Sequence, residues 1–308
     1  MNRILCLGLA PALQRTLEIP ALEKGRVNRM AACHVSPAGK SVNTGIALHR
    51  LGFNPVVAAF NGGVNGRLFC KLMKELGVAT CFTRTVGETR ICTTILEHQT
   101  NTVTELVEEA RPASASEREA FVTRNLARLR GCAALAISGT LPPWVDDDFY
   151  APFVALATKR KIPFIIDSHG RGLRAILHLR PAFVKLNRDE LRGTFADGSD
   201  DLLSNARRLL DLGAQNLLIT DGGRPATLVN REGAWEFPMP ALEKVVNPIG
   251  SGDCVTAGFL AALIENRPLT DAARLGLACG CANATTLWPA LFDPAQARRL
   301  AEQIIPRL

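Results

Sequence analysis

The 308-residue sequence lacks the features that would assign it to nucleic-acid-binding or membrane proteins. It has no basic run, no basic tail and no basic stripe interleaved with aromatic residues, so its formal charge of +7 favours a phosphorylated small molecule over nucleic acid. It also has no uninterrupted apolar run of about 18 residues, the length needed to span a bilayer. We therefore expect neither a nucleic acid nor a membrane as partner.

The cysteine and histidine patterns exclude several kinds of site. Nine cysteines are scattered along the chain without a C-x-x-C pair and lie mostly in apolar runs, which is typical of buried free thiols. The five histidines are dispersed, with no spacing that indicates a metal site or a catalytic triad. With no recognisable signal peptide, these patterns predict a protein of the reducing cytoplasm.

What the chain does have is an alternation of short apolar strands and helical segments. Apolar residues make up 47% and charged residues 21% of the chain, which allows a large buried core. The pattern predicts an α/β fold, a doubly wound and mostly parallel sheet flanked by helices in a single domain over residues 1–308. The predicted strands are 4–9, 55–60, 133–138, 162–167, 183–186 and 216–221, and the predicted helices are 43–51, 66–76, 117–129, 146–160 and 201–212.

Two stretches, at about 12–36 and 88–108, interrupt this rhythm with β-type alternation and no crossover helix. They predict a small antiparallel β lid over a cleft, the alternative being an edge extension with a structural role only. The apolar faces of these strands, such as Ile91, Thr93 and Ile95, could pair two chains into a homodimer.

The segment Asn247-Pro248-Ile249-Gly250-Ser251-Gly252-Asp253 precedes an apolar, helix-forming run. Two glycines just before a helix let backbone N–H groups converge on an anion, and the helix dipole adds roughly half a positive charge. Asp253 is then either an ordinary helix cap or a base beside a phosphoryl group. Polar or small residues also end several predicted strands, at Ser138, Asp167, Asn187 and Thr220, and one cleft at the carboxyl edge of the sheet could gather them.

Several motifs occur together in the order shown by one kinase family. They are Gly39-Lys40-Ser41-Val42-Asn43, Gly87-Glu88-Thr89-Arg90, Ser138-Gly139-Thr140-Leu141-Pro142, Asn187-x-x-Glu190 and Gly250-Ser251-Gly252-Asp253. From residue 4 to about 290 the chain resembles the ribokinase-like (PfkB) carbohydrate kinases. It is most similar to their hexose-phosphate branch, which includes 1-phosphofructokinase and tagatose-6-phosphate kinase.

The resemblance implies an activity and a set of site residues. It implies ATP-dependent phosphorylation of a ketohexose monophosphate, fructose 1-phosphate or tagatose 6-phosphate, to the bisphosphate, with ATP and Mg²⁺ as cofactors. Asp253 would be the general base, and Gly250, Ser251 and Gly252 would form the anion hole. Glu190 would organise the metal through water. The implied acceptor contacts are Gln14, Gly39, Lys40, Asn43, Arg90 and Ser138, and the implied nucleotide contacts are Lys185, Asn187, Glu190, Thr220, Gly222 and Asn283.

Each of these residues has a structural alternative when it is considered alone. Arg90 could be a solvated strand charge, and Ser138 with Gly139 could be a strand-ending turn, although either its hydroxyl or the glycine N–H could meet a phosphate. Asn187 could cap a helix followed by a surface glutamate, and Asn283 could be a satisfied polar group inside a helix.

The sequence departs from the family pattern at five positions: Ala10, Gln14, Ala38, Ser41 and Pro225, of which Ala38 is small enough to be harmless. Gln14 replaces an aspartate that accepts hydrogen bonds from the sugar, so charge assistance is lost there. Ser41 replaces a glycine and restricts a backbone with positive φ, while Pro225 deletes an N–H from the nucleotide turn. Two other functions therefore remain open: a kinase for an unphosphorylated sugar or nucleoside, and a catalytically weak sugar-phosphate-binding protein.

Overall fold

The computed structural model describes residues 3–30, 32–195 and 200–308. Within these ranges the chain forms fifteen strands and ten α-helices. The strands are β1 (Arg3–Leu7), β2 (Ala12–Ile19), β3 (Ala32–Ala38), β4 (Asn54–Ala58), β5 (Phe60–Gly62), β6 (Ala79–Thr80), β7 (Thr83–Thr85), β8 (Arg90–Glu97), β9 (Thr102–Val107), β10 (Ala134–Ser138), β11 (Phe164–Asp167), β12 (Phe183–Asn187), β13 (Asn216–Asp221), β14 (Arg224–Asn230) and β15 (Ala234–Phe237). The helices are α1 (Lys40–Arg50), α2 (Gly63–Glu75), α3 (Ala115–Leu129), α4 (Ala151–Lys159), α5 (Gly170–Ile176), α6 (Arg188–Thr194), α7 (Leu202–Asp211), α8 (Ser251–Ile264), α9 (Leu269–Ala284) and α10 (Pro294–Gln303).

The main sheet places its strands in the order β15-β14-β13-β12-β11-β10-β1-β4-β6. The six strands predicted from the sequence are all present in this sheet and run parallel. Strands β14 and β15 add an antiparallel edge. Parallel sheets need cover on both faces, and β1 shows this directly. Ile4 and Cys6 pack into the core that contains α1, α8 and α9, whereas Leu5 and Leu7 pack into the core that contains α3 and α4. The doubly wound prediction is confirmed.

A second sheet has the order β3-β2-β8-β9 and is built from the two stretches predicted as the lid. Its two hairpins, β2–β3 and β8–β9, are antiparallel as expected, while β2 and β8 join them in parallel. Gln14 lies beside Cys92 in this parallel register, so it shares a face with Arg90 and Thr94.

The apolar lid residues expected to meet a second chain are largely used within the protomer. Ile95 is buried, and Ile91 packs against the core that contains α1 and α8. Within the lid strands themselves, the most exposed large apolar side chains are instead Leu106 and Val107 on the edge strand β9. The expected pairing through Ile91 and Ile95 is corrected, because those side chains already have partners. A homodimer through the lid stays a prediction.

No helix in the described part of the chain combines the length and the apolar character needed to cross a membrane.

Candidate active site

The carboxyl ends of neighbouring strands bring the predicted polar residues to one edge of the main sheet. Ser138 at the end of β10 lies beside Asp167 at the end of β11, and Asp167 lies beside Lys185 in β12. Asn187 at the end of β12 lies beside Thr220 in β13. A doubly wound sheet binds ligands at this edge, so the strand-end prediction placed these residues correctly.

The loop before α8 has the backbone shape of an anion site. Asn247 Oδ1 accepts a hydrogen bond from the Ile249 N–H at 3.0 Å, and Gly250 has a φ of 80°. A Cβ atom at Gly250 would lie 3.1 Å from Pro289 Cβ and 3.3 Å from Asn43 Nδ2, so a side chain there would be both strained and crowded. The N-cap of α8 is Gly250, and no side chain caps the helix. The Ser251 N–H donates to the Pro248 carbonyl oxygen at 3.1 Å, so the N–H groups of Gly252 and Asp253 are the ones that remain for an anion.

Asp253 lies in the first turn of α8 and is not its cap, so the capping alternative is wrong. Its side chain is 6% exposed and accepts a hydrogen bond from Asn43 Nδ2 at 2.7 Å. Burial, followed by the nearby charge of Asp167, raises the pKa of Asp253 to about 7. A carboxylate with this pKa can both lose and accept a proton near neutral pH.

Four charged side chains form a cluster beside Asp253, which we call the charge cluster: Lys40, Asp167, Lys185 and Glu190. Lys40 Nζ donates to Asp167 Oδ1 at 3.1 Å and to Glu190 Oε1 at 2.8 Å. Lys185 Nζ donates to Asp167 Oδ2 at 3.2 Å. Asp167 is fully buried and also accepts from the Thr256 hydroxyl at 2.8 Å. Each carboxylate oxygen of Asp167 is thus paired with at least one donor, as a buried charge requires.

The pKa values of the cluster follow from these contacts. Burial alone would raise the pKa of Asp167, but Lys185 and Lys40 outweigh it and hold that pKa below its usual range. Burial alone would lower the pKa of Lys40, and the surrounding carboxylates Asp167, Glu190 and Asp253 raise it well above the usual value instead. Lys40 and Asp167 therefore stay ionised at neutral pH, whereas the neighbouring Asp253 titrates there.

Asn187 and Glu190 serve both a structural role and the cluster. Asn187 Oδ1 accepts from the Glu190 N–H at 2.8 Å, and Glu190 Oε2 accepts from the Asn187 N–H at 2.9 Å, which forms a capping box at the start of α6. The helix-cap alternative is therefore correct for Asn187. The other oxygen of Glu190, Oε1, faces Lys40 and lies 3.4 Å from His169 Nδ1. Burial would raise the pKa of Glu190, but His169 and Lys40 hold it well below its usual range.

A cavity of about 450 Å³, the acceptor cavity, lies between the lid and the main sheet and is lined by Lys40, Arg90 and Ser138. Arg90 is partly buried and donates to the carbonyl oxygens of Glu108 at 2.8 Å and Ala10 at 3.0 Å, so it is a fixed residue and not a solvated charge. Its Nε atom is buried without a partner among the described residues.

Ser138 keeps its hydroxyl at the wall of the acceptor cavity, 3.4 Å from Thr44 Oγ1. The Gly139 N–H, which the sequence offered as an alternative phosphate donor, donates instead to the Asp167 carbonyl oxygen at 2.9 Å. Of the two expected donors, only the Ser138 hydroxyl is available to a ligand.

A second cavity of about 510 Å³, the nucleotide cavity, lies on the other side of the charge cluster. Its polar end contains four of the six predicted nucleotide residues together with the start of α8, and its remaining walls are largely apolar. The polar group is Lys185, Asn187, Thr220, Gly222, Ser251 and Gly252, and the apolar group includes Met239, Leu242, Val245 and Leu277. One polar end and one apolar end suit the phosphates and the base of a nucleotide.

Five predicted ligand residues line neither cavity: Gln14, Gly39, Asn43, Glu190 and Asn283. Asn43 and Glu190 contact Asp253 and Lys40 as described above, and two of the others are directed elsewhere. Gln14 is 3% exposed, lines neither cavity, and donates from Nε2 to Thr94 Oγ1 at 2.6 Å. Asn283 is fully buried and does not line the nucleotide cavity. Its Nδ2 donates to the Ile249 carbonyl oxygen and to Ser251 Oγ, both at 2.9 Å, and its Oδ1 accepts from the Ala290 N–H at 2.7 Å. Asn283 therefore supports the loop before α8, residues 247–250, which we call the anion loop. This corrects its expected place beside the adenine.

The departures at Ser41 and Pro225 prove compatible with the local backbone. Ser41 lies inside α1 and has no positive φ, whereas Gly39 just before the helix has a φ of 118°. Pro225 lies in β14 where the register with β13 shifts between Ile219 and Asp221, a bulge where a missing N–H breaks no regular pair. The strain expected at Ser41 is therefore absent.

The sequence assigned no role to Asp167, Thr256 or His169, although all three contact the charge cluster. Asp167 had a readable signal, because a carboxylate that directly follows a buried strand lies at the ligand edge of the sheet. Thr256 and His169 carry no such local signal.

The fit of a divalent cation can be judged from the charge cluster. The described residues contain no group of three or more His, Cys, Asp or Glu side chains that could hold a metal ion. Asp167 and Glu190 nevertheless offer two carboxylate oxygens that share one ammonium, Lys40 Nζ, as a stand-in cation. Two hard oxygen donors completed by water and nucleotide phosphates suit Mg²⁺, which seldom takes an all-protein cage.

Comparison with known proteins identifies the family. The family model for pfkB family carbohydrate kinase matches residues 1–290. The chain belongs to the pfkB family of carbohydrate kinases. It is accordingly an ATP-dependent sugar kinase.

Solved structures share the fold of this pfkB kinase. The possible 1-phosphofructokinase of Thermotoga maritima superposes with a TM-score of 0.89 at 24% identity, covering 99% of both chains. Phosphofructokinase-2 of Escherichia coli in complex with fructose 6-phosphate gives 0.85 at 23% identity, again over 99% of both chains. The tetrameric inhibited form of the same enzyme gives 0.84 at 23% identity, covering 98% of this chain and 99% of the other. The fold is ribokinase-like.

Proposed function

We propose that this pfkB kinase phosphorylates a ketohexose monophosphate, fructose 1-phosphate or tagatose 6-phosphate, to the bisphosphate with ATP and Mg²⁺. The observation that carries the proposal is the pair of cavities on either lysine of the charge cluster, one lined by Lys40 and the other by Lys185, with Arg90 fixed in the wall of the acceptor cavity. A planar guanidinium suits the phosphate already on such an acceptor. In E. coli, phosphofructokinase-2 binds fructose 6-phosphate, which supports a sugar phosphate as the class of acceptor.

Asp253 takes the proton of the acceptor hydroxyl, and that oxygen forms a bond to the γ-phosphorus of ATP while the bond from this phosphorus to the β,γ-bridging oxygen breaks. The electron pair leaves with ADP. N–H groups at the start of α8 stabilise charge on the transferring phosphoryl oxygens, and Lys185 Nζ, which would lie 2.8 Å from a Cβ atom at Gly252, adds a cation at the same place. Glu190 and Asp167 would hold Mg²⁺, which would supply charge neutralisation of the nucleotide phosphates.

The alternative of a catalytically weak sugar-phosphate binder loses the argument from Ser41, whose backbone has no positive φ. Two differences remain, the N–H that Pro225 lacks and the uncharged side chain of Gln14. Its amide is bonded to Thr94, so we expect it to shape the lid face above the acceptor and not to provide a charge.

The test is a coupled ADP-release assay with fructose 1-phosphate, tagatose 6-phosphate, fructose 6-phosphate and the free sugars. We expect turnover with at least one of the first two and little with free sugars. In Arg90→Lys the charge remains but the fork that reaches Glu108 and Ala10 is lost, so KM for the sugar phosphate should rise about tenfold or more while kcat changes less. Turnover with free sugars only, or an Arg90→Lys enzyme with an unchanged KM, would contradict the proposal.

A further inference from the structure

Lys40 lies at the boundary between the charge cluster and the acceptor cavity. It lies between Asp167 and Glu190, the carboxylates best suited to a divalent cation, and its side chain is 31% exposed and lines the acceptor cavity. The other lysine of the charge cluster is different. Lys185 is 4% exposed, holds the second oxygen of Asp167 and faces the start of α8.

We propose that Lys40 is a positioning residue that exchanges between the metal carboxylates and the acceptor, so that the metal and the Lys40 ammonium compete for the same oxygens. This inference rests on the proposed function and adds a coupling between its two substrates. When the metal nucleotide enters, the ammonium leaves Asp167 and Glu190 and turns towards the phosphorylated acceptor.

Competition follows from distance and charge. Lys40 Nζ is 2.8 Å from Glu190 Oε1 and 3.1 Å from Asp167 Oδ1, and Mg²⁺ needs a direct oxygen ligand at about 2.0–2.1 Å, or a bridging water in the same small space. A divalent cation there would replace the favourable pairing of the ammonium with strong repulsion. Lys40 can move because its stem is long and partly exposed, whereas Lys185 is enclosed.

The position of the acceptor cavity determines the direction in which the Lys40 side chain moves. Lys40 begins α1, and the space its side chain lines is the acceptor cavity with Arg90 and Ser138. The oxygens of a phosphate bound in this cavity can accept hydrogen bonds from the Lys40 ammonium, in place of the carboxylate oxygens that the metal has taken. Metal nucleotide and acceptor therefore strengthen each other's binding, and by linkage the factor is the same in both directions.

The first experiment measures Mn²⁺ binding alone by electron paramagnetic resonance, with no sugar and no nucleotide. Lys40→Met should bind Mn²⁺ about tenfold more tightly than the wild type because the competing ammonium is gone. The control is Lys71→Met, which removes an equal charge from an exposed lysine on α2 that pairs only loosely with Glu75 at 3.8 Å. It should stay within about twofold of the wild type. Unchanged or weaker Mn²⁺ binding by Lys40→Met overturns the exchange.

A second variant at position 40 distinguishes the loss of the ammonium charge from a loss of folding. Lys40→Gln keeps a polar side chain of similar reach without charge and should also bind Mn²⁺ more tightly, while adding Glu190→Gln to it should abolish the gain. Circular dichroism establishes that each variant is folded. If both Lys40 variants fold and neither gains Mn²⁺ affinity, the proposal is wrong.

The coupling itself is measured by calorimetry with fructose 1-phosphate, in the absence and presence of Mn²⁺ with a non-hydrolysable ATP analogue. In the wild type the analogue should tighten sugar-phosphate binding about fivefold or more, and in Lys40→Met the ratio should fall to about one. A wild-type ratio near one contradicts the exchange. Failure of the proposed function is distinct, because it would appear as no ADP release from any sugar phosphate while the Mn²⁺ titrations still separate the variants.

Discussion

Replacement of Asp253 by asparagine tests the chemistry and the electrostatics of the site together. The asparagine side chain has the same shape and can still accept from Asn43 Nδ2, so the packing is preserved. What disappears is a buried carboxylate whose pKa lies near 7 and whose ordinary value is 3.8. Loss of a positioned general base typically lowers the rate about 10²–10⁴-fold. We expect that loss in kcat with nucleotide affinity largely unchanged.

Asp253→Asn should lower kcat but raise the free energy of unfolding at alkaline pH, because the buried carboxylate of the wild type is destabilising when it is ionised. Below pH 3.8 Asp253 is protonated in both the folded and unfolded states, so it contributes no pH dependence there. Between pH 3.8 and about 7 the folded state holds the proton more strongly, so stability falls as pH rises, and above about 7 the loss is complete. At about 1.4 kcal/mol per pKa unit this loss is on the order of 4 kcal/mol.

Asp253→Asn should therefore be more stable than the wild type at pH 8. Burial of the amide offsets part of the gain, and we expect about 2 kcal/mol, or a rise in Tm of about 3 °C, by calorimetry. At pH 5 this gain should be gone, because the wild type recovers roughly 1.4 kcal/mol of stability per pH unit as the pH falls from about 7 to 5. The wild-type kcat/KM should rise with pH on an acid limb centred near 7. A Tm difference that does not vary between pH 5 and pH 8, or wild-type kcat on the true acceptor in Asp253→Asn, would refute the reasoning.

Two further substitutions test the anion loop. Gly250→Ala forces a side chain onto a φ of 80° and against Pro289, so we expect a loss of about 1–2 kcal/mol in stability by urea unfolding and a fall in kcat; unaltered kcat would show that the loop shape is not needed. Asn283→Ala removes the hydrogen bonds to Ile249 and Ser251 from a residue that touches neither cavity. Steady-state kinetics should show a kcat lowered about tenfold or more, with sugar-phosphate affinity little changed. A rise in nucleotide KM alone would favour the adenine-pocket role instead.

Much of the fold could be predicted because its signals are local. Buried parallel strands appear as apolar runs, and all six predicted strands are present within a few residues. Helix α4 begins at Ala151 and not at Asp146, because the segment before it forms successive turns. Helix α10 was overlooked although Asp293 caps it and Pro294 opens it, a start signal that a polar sequence can carry without apolar periodicity.

The site was less predictable wherever a residue's partner is distant in sequence. Gly250 and Asp253 carry their own signal, since a glycine with positive φ and an early carboxylate both belong to one helix start. The orientation of Gln14 depends on Thr94, and that of Asn283 on Ile249 and Ala290, which no spacing along the chain reveals. Resemblance to a family located these positions in the fold but not the direction in which their side chains point.

The parallel pairing of β2 with β8 has a consequence for how the chain assembles. It joins residues 12–19 to residues 90–97 in one uninterrupted register, from Ala12 with Arg90 to Ile19 with Glu97. Each hairpin of this sheet pairs neighbouring residues, whereas the central pair closes a long loop that contains α1 and α2 and so carries the larger entropic cost. The cover over the acceptor cavity is therefore held together by a contact between segments that are distant in sequence. It is a sheet separate from the nine strands beneath it, so its central pairing adds no strand to the main sheet.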